Sequence, residues 1–196
     1  MELIEKRIIV TGCASGIGAA TVRAYVKAGA QVVGMDISEA AGSLVCDDAE
    51  GPGTATFLSV DVADHDRVQE AFSTAVESMD GLDALAHPAA IHAASSASDV
   101  SVADWDYLFT VNVRGTMLTN QTAHKYLKTA GGGAIVNFGS ISGQRPEPGA
   151  AAYSATKGAV HAWTRTAAGT WGADNVRVNA VLPAIRTPMF LAAKEG

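Results

Sequence analysis

Short apolar runs rich in β-branched residues alternate along the chain with longer segments in which apolar residues recur at helical spacing. The runs predict six strands, at residues 7–11, 31–36, 54–60, 84–86, 134–138 and 177–181. The longer segments predict helices at residues 17–28, 65–78, 102–126 and 152–171, with a shorter one at 39–48. Strands that alternate with helices form parallel sheets, so we expect an α/β fold: a doubly wound parallel sheet with helices on both faces. No repeat or linker interrupts residues 1–196, which predicts a single domain.

Two of the predicted helices begin at residues suited to capping. Asp64 precedes the second long helix and places an acceptor and a negative charge where the free backbone N–H groups need them. Ser101, followed three residues later by Asp104, resembles a capping box with the shorter acid.

Composition and charge narrow the classes of partner. The chain is 48% hydrophobic and 17% charged, a balance typical of globular proteins, and its formal net charge is -6. Without a basic patch, a net acidic protein attracts neither nucleic acid nor an anionic membrane. No N-terminal leader and no apolar run of about 18 residues is present, so we expect a cytoplasmic protein. Cys13 and Cys46 are isolated and the histidines lack ligand spacing, which indicates neither a disulfide framework nor a metal site.

A glycine-rich turn, TGCASGIG, follows the first strand and opens the first helix. Its glycines permit a tight turn, close approach of the backbone to a pyrophosphate, and close packing of the helix on the strand. The helix N-terminus offers free N–H groups to the phosphates. The turn therefore predicts a dinucleotide site, contacted by Gly12, Ser15, Gly16, Ile17 and Gly18.

Asp36 ends the second strand, 18 residues after Gly18, and suits the two hydroxyls of a ribose. A carboxylate in this place repels the additional phosphate of NADP. The neighbouring residues Ser15, Met35 and Ile37 carry no compensating positive charge. We therefore expect NAD as the cofactor.

A candidate catalytic group lies further along the chain. Tyr153 and Lys157, in YSATK, are four residues apart, and this spacing stacks both side chains on one face of a helix. An ammonium about 5 Å from the phenol contributes roughly 3 kcal/mol, which lowers the pKa of a tyrosine from about 10 towards neutrality. Ser140 follows the strand that ends near Phe138, at the sheet edge where open α/β sheets bind ligands. Its hydroxyl would hold a substrate oxygen beside Tyr153.

Together these motifs resemble the short-chain dehydrogenase/reductase family in its shorter form. The resemblance covers essentially the whole chain: TGCASGIG, Asp36, Asp61 with Val62, Asn112 in TVNVRG, Ser140, Tyr153 with Lys157, and finally RVNAVLP and TPM. The separation of 13 residues between Ser140 and Tyr153 matches the usual spacing in the family. The resemblance implies a Rossmann fold and an NAD-dependent oxidoreductase that interconverts a secondary alcohol and a ketone by hydride transfer.

The resemblance also implies a role for each matched residue. Tyr153 is the general acid/base that exchanges a proton with the substrate oxygen, and Ser140 polarises and positions that oxygen. Lys157 lowers the pKa of the phenol and bonds to the nicotinamide ribose, so Tyr153 and Lys157 also contact the cofactor. Asn112 holds a water molecule that links Lys157 to solvent.

Further cofactor contacts are implied at both ends of the dinucleotide. Asp61 and Val62 would border the adenine, while Pro183, Ile185 and Thr187 would line the nicotinamide end. A homo-oligomer, a dimer or a tetramer, is implied as well. The helices that carry Asn112 and Tyr153 would form its contacts.

One loop departs from the family pattern after the fourth strand. The family's Asn-Asn-Ala-Gly is replaced by His87, Pro88, Ala89 and Ala90, of which only Ala89 carries over as a cofactor contact. Proline removes a backbone donor, and Ala90 adds a methyl group where backbone and cofactor approach closely. We therefore expect weaker cofactor binding at this loop or a different path of its backbone.

A second turn and the end of the chain also depart from the pattern. The family's Pro-Gly-x-Ile-x-Thr reads PAIRT from Pro183 to Thr187, one residue short. The sequence stops at Gly196, whereas family members continue through a substrate-covering segment, a helix and a strand. We expect a truncated form of the family. The alternative function is a catalytically impaired NAD-binding module that lacks the substrate-covering segment.

Overall fold

Six parallel strands form the sheet in a computed structural model that describes residues 2–184. The strands lie in the order β3-β2-β1-β4-β5-β6, which confirms the predicted doubly wound sheet. Their bounds are β1 Arg7–Thr11, β2 Gln31–Asp36, β3 Thr54–Ser59, β4 Ala84–His87, β5 Gly133–Phe138 and β6 Val176–Val181. The chain reverses its direction of winding between β1 and β4, and this opens a crevice at the carboxyl ends of those strands.

Helices cover both faces of the sheet, as expected. Helices α1 and α2 pack with β1 and β2 around one apolar cluster, whereas α3, α5 and α6 pack around a second cluster on the opposite face. Their bounds are α1 Gly16–Lys27, α2 Glu39–Asp47, α3 His65–Met79, α4 Val102–Phe109, α5 Gly115–Thr129 and α6 Ala151–Trp171. Within residues 2–184, no helix has the length and apolarity needed to cross a membrane.

The prediction of one continuous α-helix over residues 102–126 is wrong at its centre. A π-helical turn, Thr110–Arg114, separates α4 from α5. At this turn the Asn112 side chain bonds to the backbone of Ile91 and to Thr156 on α6. Insertions of this kind re-aim a side chain and are frequent near functional sites. This helical region also ends at Thr129, three residues beyond the predicted end at 126. The other predicted boundaries agree within one residue, within the usual fraying of element ends.

The two predicted caps have different outcomes. Asp64 caps α3, because its carboxylate accepts hydrogen bonds from the backbone N–H groups of Asp66 and Arg67. Ser101 caps α4 by accepting from the N–H of Asp104 at 3.0 Å. The Asp104 carboxylate accepts from the Ser101 hydroxyl at 2.7 Å. The structure records only this hydroxyl contact for it, so the capping box is half formed with the shorter acid.

Candidate active site

A cavity of about 1170 Å³ lies at the carboxyl ends of the strands. It brings together residues from the glycine-rich turn, the end of β2, the loop after β4, the end of β5 and the start of α6. Most of the predicted site residues line it: Gly12, Ser15, Gly16, Ile17, Gly18, Asp36, Asp61, Val62, Ala89, Ser140, Tyr153, Lys157 and Pro183. Ile185 and Thr187 lie outside the described residues, and Asn112 lies beneath the cavity wall.

The glycine-rich turn has the geometry that its sequence predicts. Gly12 and Gly16 take φ values of 61° and 51°, in the left-handed region that side chains rarely adopt. A methyl group on Gly18 would lie 1.9 Å from the carbonyl oxygen of Gly12. Unlike Asp64 and Ser101, Ser15 does not cap its helix, so the first N–H groups of α1 remain for an anion. The residues of this turn fit the phosphates of a dinucleotide.

Asp36 is held at the rim of the same cavity. One carboxylate oxygen accepts from the N–H of Ala14 at 3.0 Å, and the other accepts from the N–H of Ser38 at 2.9 Å. These two bonds orient the carboxylate and leave further lone pairs on both oxygens for ribose hydroxyls. The adjacent lining residues Ser15 and Ile37 are uncharged.

The loop that departs from the family pattern keeps close contact with the glycine-rich turn. A methyl group on Gly12 would lie 2.7 Å from the Cα atom of Ala89, and Ala89 N–H points to the Thr11 hydroxyl at 3.4 Å. Pro88, Ala89 and Ala90 all line the cavity. The backbone of this loop therefore still borders the cavity. The weaker binding of the cofactor that we expect from this loop stays a prediction.

His87 occupies a buried position beneath that loop. Its Nδ1 atom lies 2.8 Å from the Thr11 hydroxyl and 3.1 Å from the Thr119 hydroxyl. Its Nε2 atom is buried and has no partner within the described residues. Burial lowers the pKa of His87 to about 3, and the charge of Lys157 acts in the same direction. The imidazole is therefore neutral at physiological pH.

Asn112 uses its side chain to hold neighbouring elements together. Its Oδ1 atom accepts from the N–H of Ile91 at 2.8 Å, while Nδ2 donates to the Ile91 carbonyl at 2.9 Å and to Thr156 Oγ1 at 3.1 Å. The amide thus ties the loop after β4 to α6. The predicted water between Asn112 and Lys157 stays a prediction.

Tyr153 and Lys157 lie together, and burial shifts the pKa of both side chains. Lys157 Nζ donates to the Phe138 carbonyl at 2.8 Å and lies 5.6 Å from the centroid of the Tyr153 ring. Burial lowers the pKa of Lys157 to about 8. Burial also raises the pKa of Tyr153, opposed by a hydrogen bond with Ser140 and reinforced by the charge of Glu147. The pKa of the phenol is therefore raised in this structure, because burial is the largest cause of the shift and the Lys157 charge is not among the causes. The lowering of this pKa by Lys157 stays a prediction.

Ser140 is surrounded by groups to which sequence reasoning assigned no catalytic role, although residues 92–98 and 141–148 were expected to shape the pocket. Its N–H donates to His161 Nε2 at 3.3 Å, and its hydroxyl lies 2.9 Å from that of Ser142. The Ser142 hydroxyl donates to Glu147. The ring of His92 contacts that of Tyr153, with centroids 4.7 Å apart.

Only one of these groups has a local signal. Ser142 comes two residues after Ser140, where it forms a short 3-10 turn that the Ser140 side chain caps. Glu147, His92 and His161 reach the site through loop paths and helix packing that no short motif encodes. Gln144 and Arg145, which also follow Ser140 closely, lie outside the cavity lining within the described residues.

Comparison with known proteins identifies the family. A family model described as short chain dehydrogenase matches residues 6–195. The chain is 37% identical over 187 residues to a cyclopentanol dehydrogenase of Comamonas testosteroni, covering 94% of this chain and 75% of that protein. It is 36% identical over 180 residues to a cis-4-hydroxycyclohexanecarboxylate dehydrogenase of Sinomonas cyclohexanicum, covering 91% and 72%.

Solved structures agree with the fold and the family. A short-chain type dehydrogenase/reductase from Mycobacterium marinum superposes with a TM-score of 0.89 at 30% identity, covering 93% of this chain and 75% of that one. Another, from Mycobacterium ulcerans, gives a TM-score of 0.95 at 26% identity, covering 100% and 74%. The sheet order, the cavity and these matches lead to one conclusion: the chain belongs to the short-chain dehydrogenase/reductase family of oxidoreductases.

Proposed function

We propose that the protein is an NAD-dependent oxidoreductase that interconverts a secondary alcohol and a ketone, with Tyr153 as the general acid/base. Oxidation or reduction at an alcohol or ketone is what its family and its named relatives support. The finer proposal rests on one observation: Ser140, Tyr153 and Lys157 line the same cavity as the glycine-rich turn and Asp36. A dinucleotide on the turn and a substrate beside Ser140 would share this cavity.

Each residue of the chain has a definite task in this proposal. When bound, the nicotinamide ring supplies the hydride acceptor or donor. Tyr153 takes the hydroxyl proton as the alcohol is oxidised and returns it when the ketone is reduced. Ser140 holds the substrate oxygen next to the phenol. Lys157 Nζ, which has donors beyond its bond to Phe138, is available to a ribose hydroxyl and favours the phenolate form of Tyr153.

The preference for NAD depends on Asp36 in this proposal. Its carboxylate is fixed by two backbone N–H groups, so it cannot turn away from the ribose without losing both bonds. An added ribose phosphate would bring a charge of about −1.5 to −2 against it. Asp36→Asn removes the charge and keeps the shape. We expect this variant to narrow the difference in KM between NAD and NADP by at least about tenfold, the equivalent of 1.4 kcal/mol.

The decisive experiment measures NADH formation from NAD with a panel of secondary alcohols that includes cyclopentanol. Tyr153→Phe removes only the phenolic oxygen, and we expect kcat/KM to fall by about 10²–10⁴-fold. Tyr126→Phe, on α5 and packed against the core, is the matched control and should change kcat/KM by less than about twofold.

The alternative, an NAD-binding module with impaired turnover, gives a different outcome. In that case neither the natural chain nor Tyr126→Phe forms NADH with any alcohol, although NADH fluorescence still shows binding. Turnover that survives in Tyr153→Phe would instead reject Tyr153 as the acid/base.

A further inference from the structure

A row of three hydrogen-bonding groups leads from the mouth of the cavity to Ser140. The Glu147 carboxylate is exposed there and accepts from the hydroxyl of Ser142, which is 8% exposed. The Ser142 hydroxyl lies 2.9 Å from that of Ser140. All three residues line the cavity. The proposed reaction assigns a task to Ser140 alone.

The number of protons available determines which group donates in each hydrogen bond of this row. A carboxylate has no proton and can only accept, so the single proton of Ser142 points to Glu147. The Ser142 oxygen must then accept from Ser140, since neither hydroxyl has a second proton to give. The Ser140 oxygen also accepts from the N–H of Ser142 at 3.2 Å. Its only proton is committed to Ser142. Ser140 also makes a hydrogen bond with Tyr153, and a ligand placed between these two hydroxyls would take the place of that bond and meet a lone pair of Ser140.

We propose that Glu147, acting through Ser142, holds Ser140 as a hydrogen-bond acceptor towards the substrate, so that the site binds an alcohol more tightly than the corresponding ketone. The inference rests on the proposed function, because it concerns the ligand of that same site. An alcohol has a proton to donate to Ser140. A ketone has none, and it gains a donor from Ser140 only if the Ser140–Ser142 bond breaks. Ser142 and Glu147 are thus positioning residues for Ser140.

Tyr153 also touches the substrate oxygen, so its charge state must be kept constant in any test. The charged and titratable groups that face it are His92 from the loop after β4, Glu147, and Lys157 from its own helix. The charge of Glu147 raises the pKa of Tyr153. Replacing Glu147 would change the phenol and the row together, whereas Ser142→Ala breaks the row and leaves every charge in place.

The test measures binding without turnover, in the complex with NAD at one pH. Cyclopentanone cannot be reduced there, and 1-methylcyclopentanol has no carbinol hydrogen to give. Ligand-observed NMR titration yields a dissociation constant for each. Ser142→Ala should shift the ratio of the two constants towards the ketone by about fivefold, which corresponds to one hydrogen bond of about 1 kcal/mol. Ser142→Thr keeps the hydroxyl and should keep the ratio of the natural chain.

A second measurement needs no ligand and separates the inference from the proposed function. Ser140→Ala and Glu147→Gln, singly and together, are compared by urea unfolding in the natural chain and in the Ser142→Ala background. If the row exists, the combined effect of the two changes on the folding equilibrium constant differs by about threefold from the product of their separate effects when Ser142 is present. In the Ser142→Ala background the two effects should simply multiply.

The outcomes differ in what they reject. Additive effects in both backgrounds, or an unchanged ratio of dissociation constants in Ser142→Ala, would overturn the inference. Coupling through Ser142 with no binding of either ligand would support the row and reject the proposed class of substrate.

Discussion

The two faces of the sheet bury different kinds of side chain. The face covered by α1 and α2 is filled with aliphatic residues and two thiols, among them Val10, Val22, Cys13 and Cys46. The face covered by α5 and α6 adds to its apolar core a series of buried polar groups: Asn112, Thr116, Thr119, Asn120, Thr122, Asn137, Thr156, Lys157, His161 and Thr164. The first face carries the glycine-rich turn, and the second carries the catalytic candidates.

On the apolar face, close packing holds the turn in place, together with the backbone N–H bonds of Cys13 to Met35 and of Ala14 to Asp36. A methyl group on Gly34 would lie 2.7 Å from the Cys46 sulfur and 2.9 Å from the Cys13 sulfur, so both thiols fill the space left by this glycine. The contact with Cys46 and burial raise the pKa of Cys13, which keeps it a neutral packing group. Such packing is non-directional and depends on volume.

On the polar face, directional bonds position the site. Asn120 and Asn137 exchange amide hydrogen bonds of 3.0 and 2.9 Å, and Trp163 Nε1 and Thr164 Oγ1 complete the network. This network ties α5 and α6 to β5, the strand that leads to Ser140. Close packing therefore positions most of the cofactor end, whereas satisfied hydrogen bonds position the catalytic end. We therefore expect the cofactor end to be most sensitive to added volume and the catalytic end to be most sensitive to the loss of a hydrogen-bond partner.

The largest effect is expected from a methyl group in the glycine-rich turn. Gly18→Ala places that group 1.9 Å from the Gly12 carbonyl oxygen, and the turn must shift to relieve the contact. We expect the free energy of unfolding to fall by about 3 kcal/mol or more, measured by urea unfolding, with loss of NADH binding by fluorescence. Gly169→Ala on α6 meets nothing within 4 Å and should raise stability by up to about 1 kcal/mol. If Gly18→Ala and Gly169→Ala changed the free energy of unfolding equally, close packing would not explain the sensitivity of the turn.

A smaller loss is expected from breaking the amide pair on the polar face. Asn137→Ala leaves the Asn120 Nδ2 donor buried without an acceptor, while Trp163 still donates to Asn120 Oδ1. We expect the free energy of unfolding to fall by about 2–3 kcal/mol. The measurement is urea unfolding of both single variants and the double variant Asn120→Ala/Asn137→Ala. Because the second change removes the orphaned group, the double variant should lose less than the sum. Strict additivity would show that the pair is not coupled.

The smallest effect depends on pH and concerns His87. Its pKa is 6.5 in the unfolded chain and about 3 in the folded protein, so between these values the unfolded state binds more protons. The contribution of neutral His87 is complete above pH 6.5 and is lost as the pH falls towards 3. Between pH 7.5 and pH 5 this loss amounts to about 2 kcal/mol.

His87→Asn isolates this contribution, because asparagine does not titrate. Burial also lowers the pKa of His92 and His161, and both remain in the variant. Urea unfolding at pH 7.5 and pH 5 should show a decline smaller by about 2 kcal/mol in His87→Asn. A decline of the same size in both proteins would mean that His87 is solvated rather than buried.

The sequence predicted the fold because its signals are local. Alternation of apolar runs and helical spacing located all six strands, and the positive φ values of Gly12 and Gly16 follow from residue type and turn geometry. The order of motifs also indicated which residues would line one cavity. Carboxyl ends of parallel strands meet at one edge of a sheet, so residues distant in sequence converge there whatever the details of packing.

Tertiary structure alone decided the partners and the charges. Cys13 and Cys46 are isolated in sequence but adjacent in space, and Asn112 turned its amide to Ile91 instead of the cavity. The pKa of Tyr153 is raised rather than lowered, since desolvation depends on every element packed around a group. Periodicity and turn sterics act over a few residues and can be read from the chain. Burial, hydrogen-bond direction and the position of Glu147 arise from contacts between distant segments, and only the fold determines them.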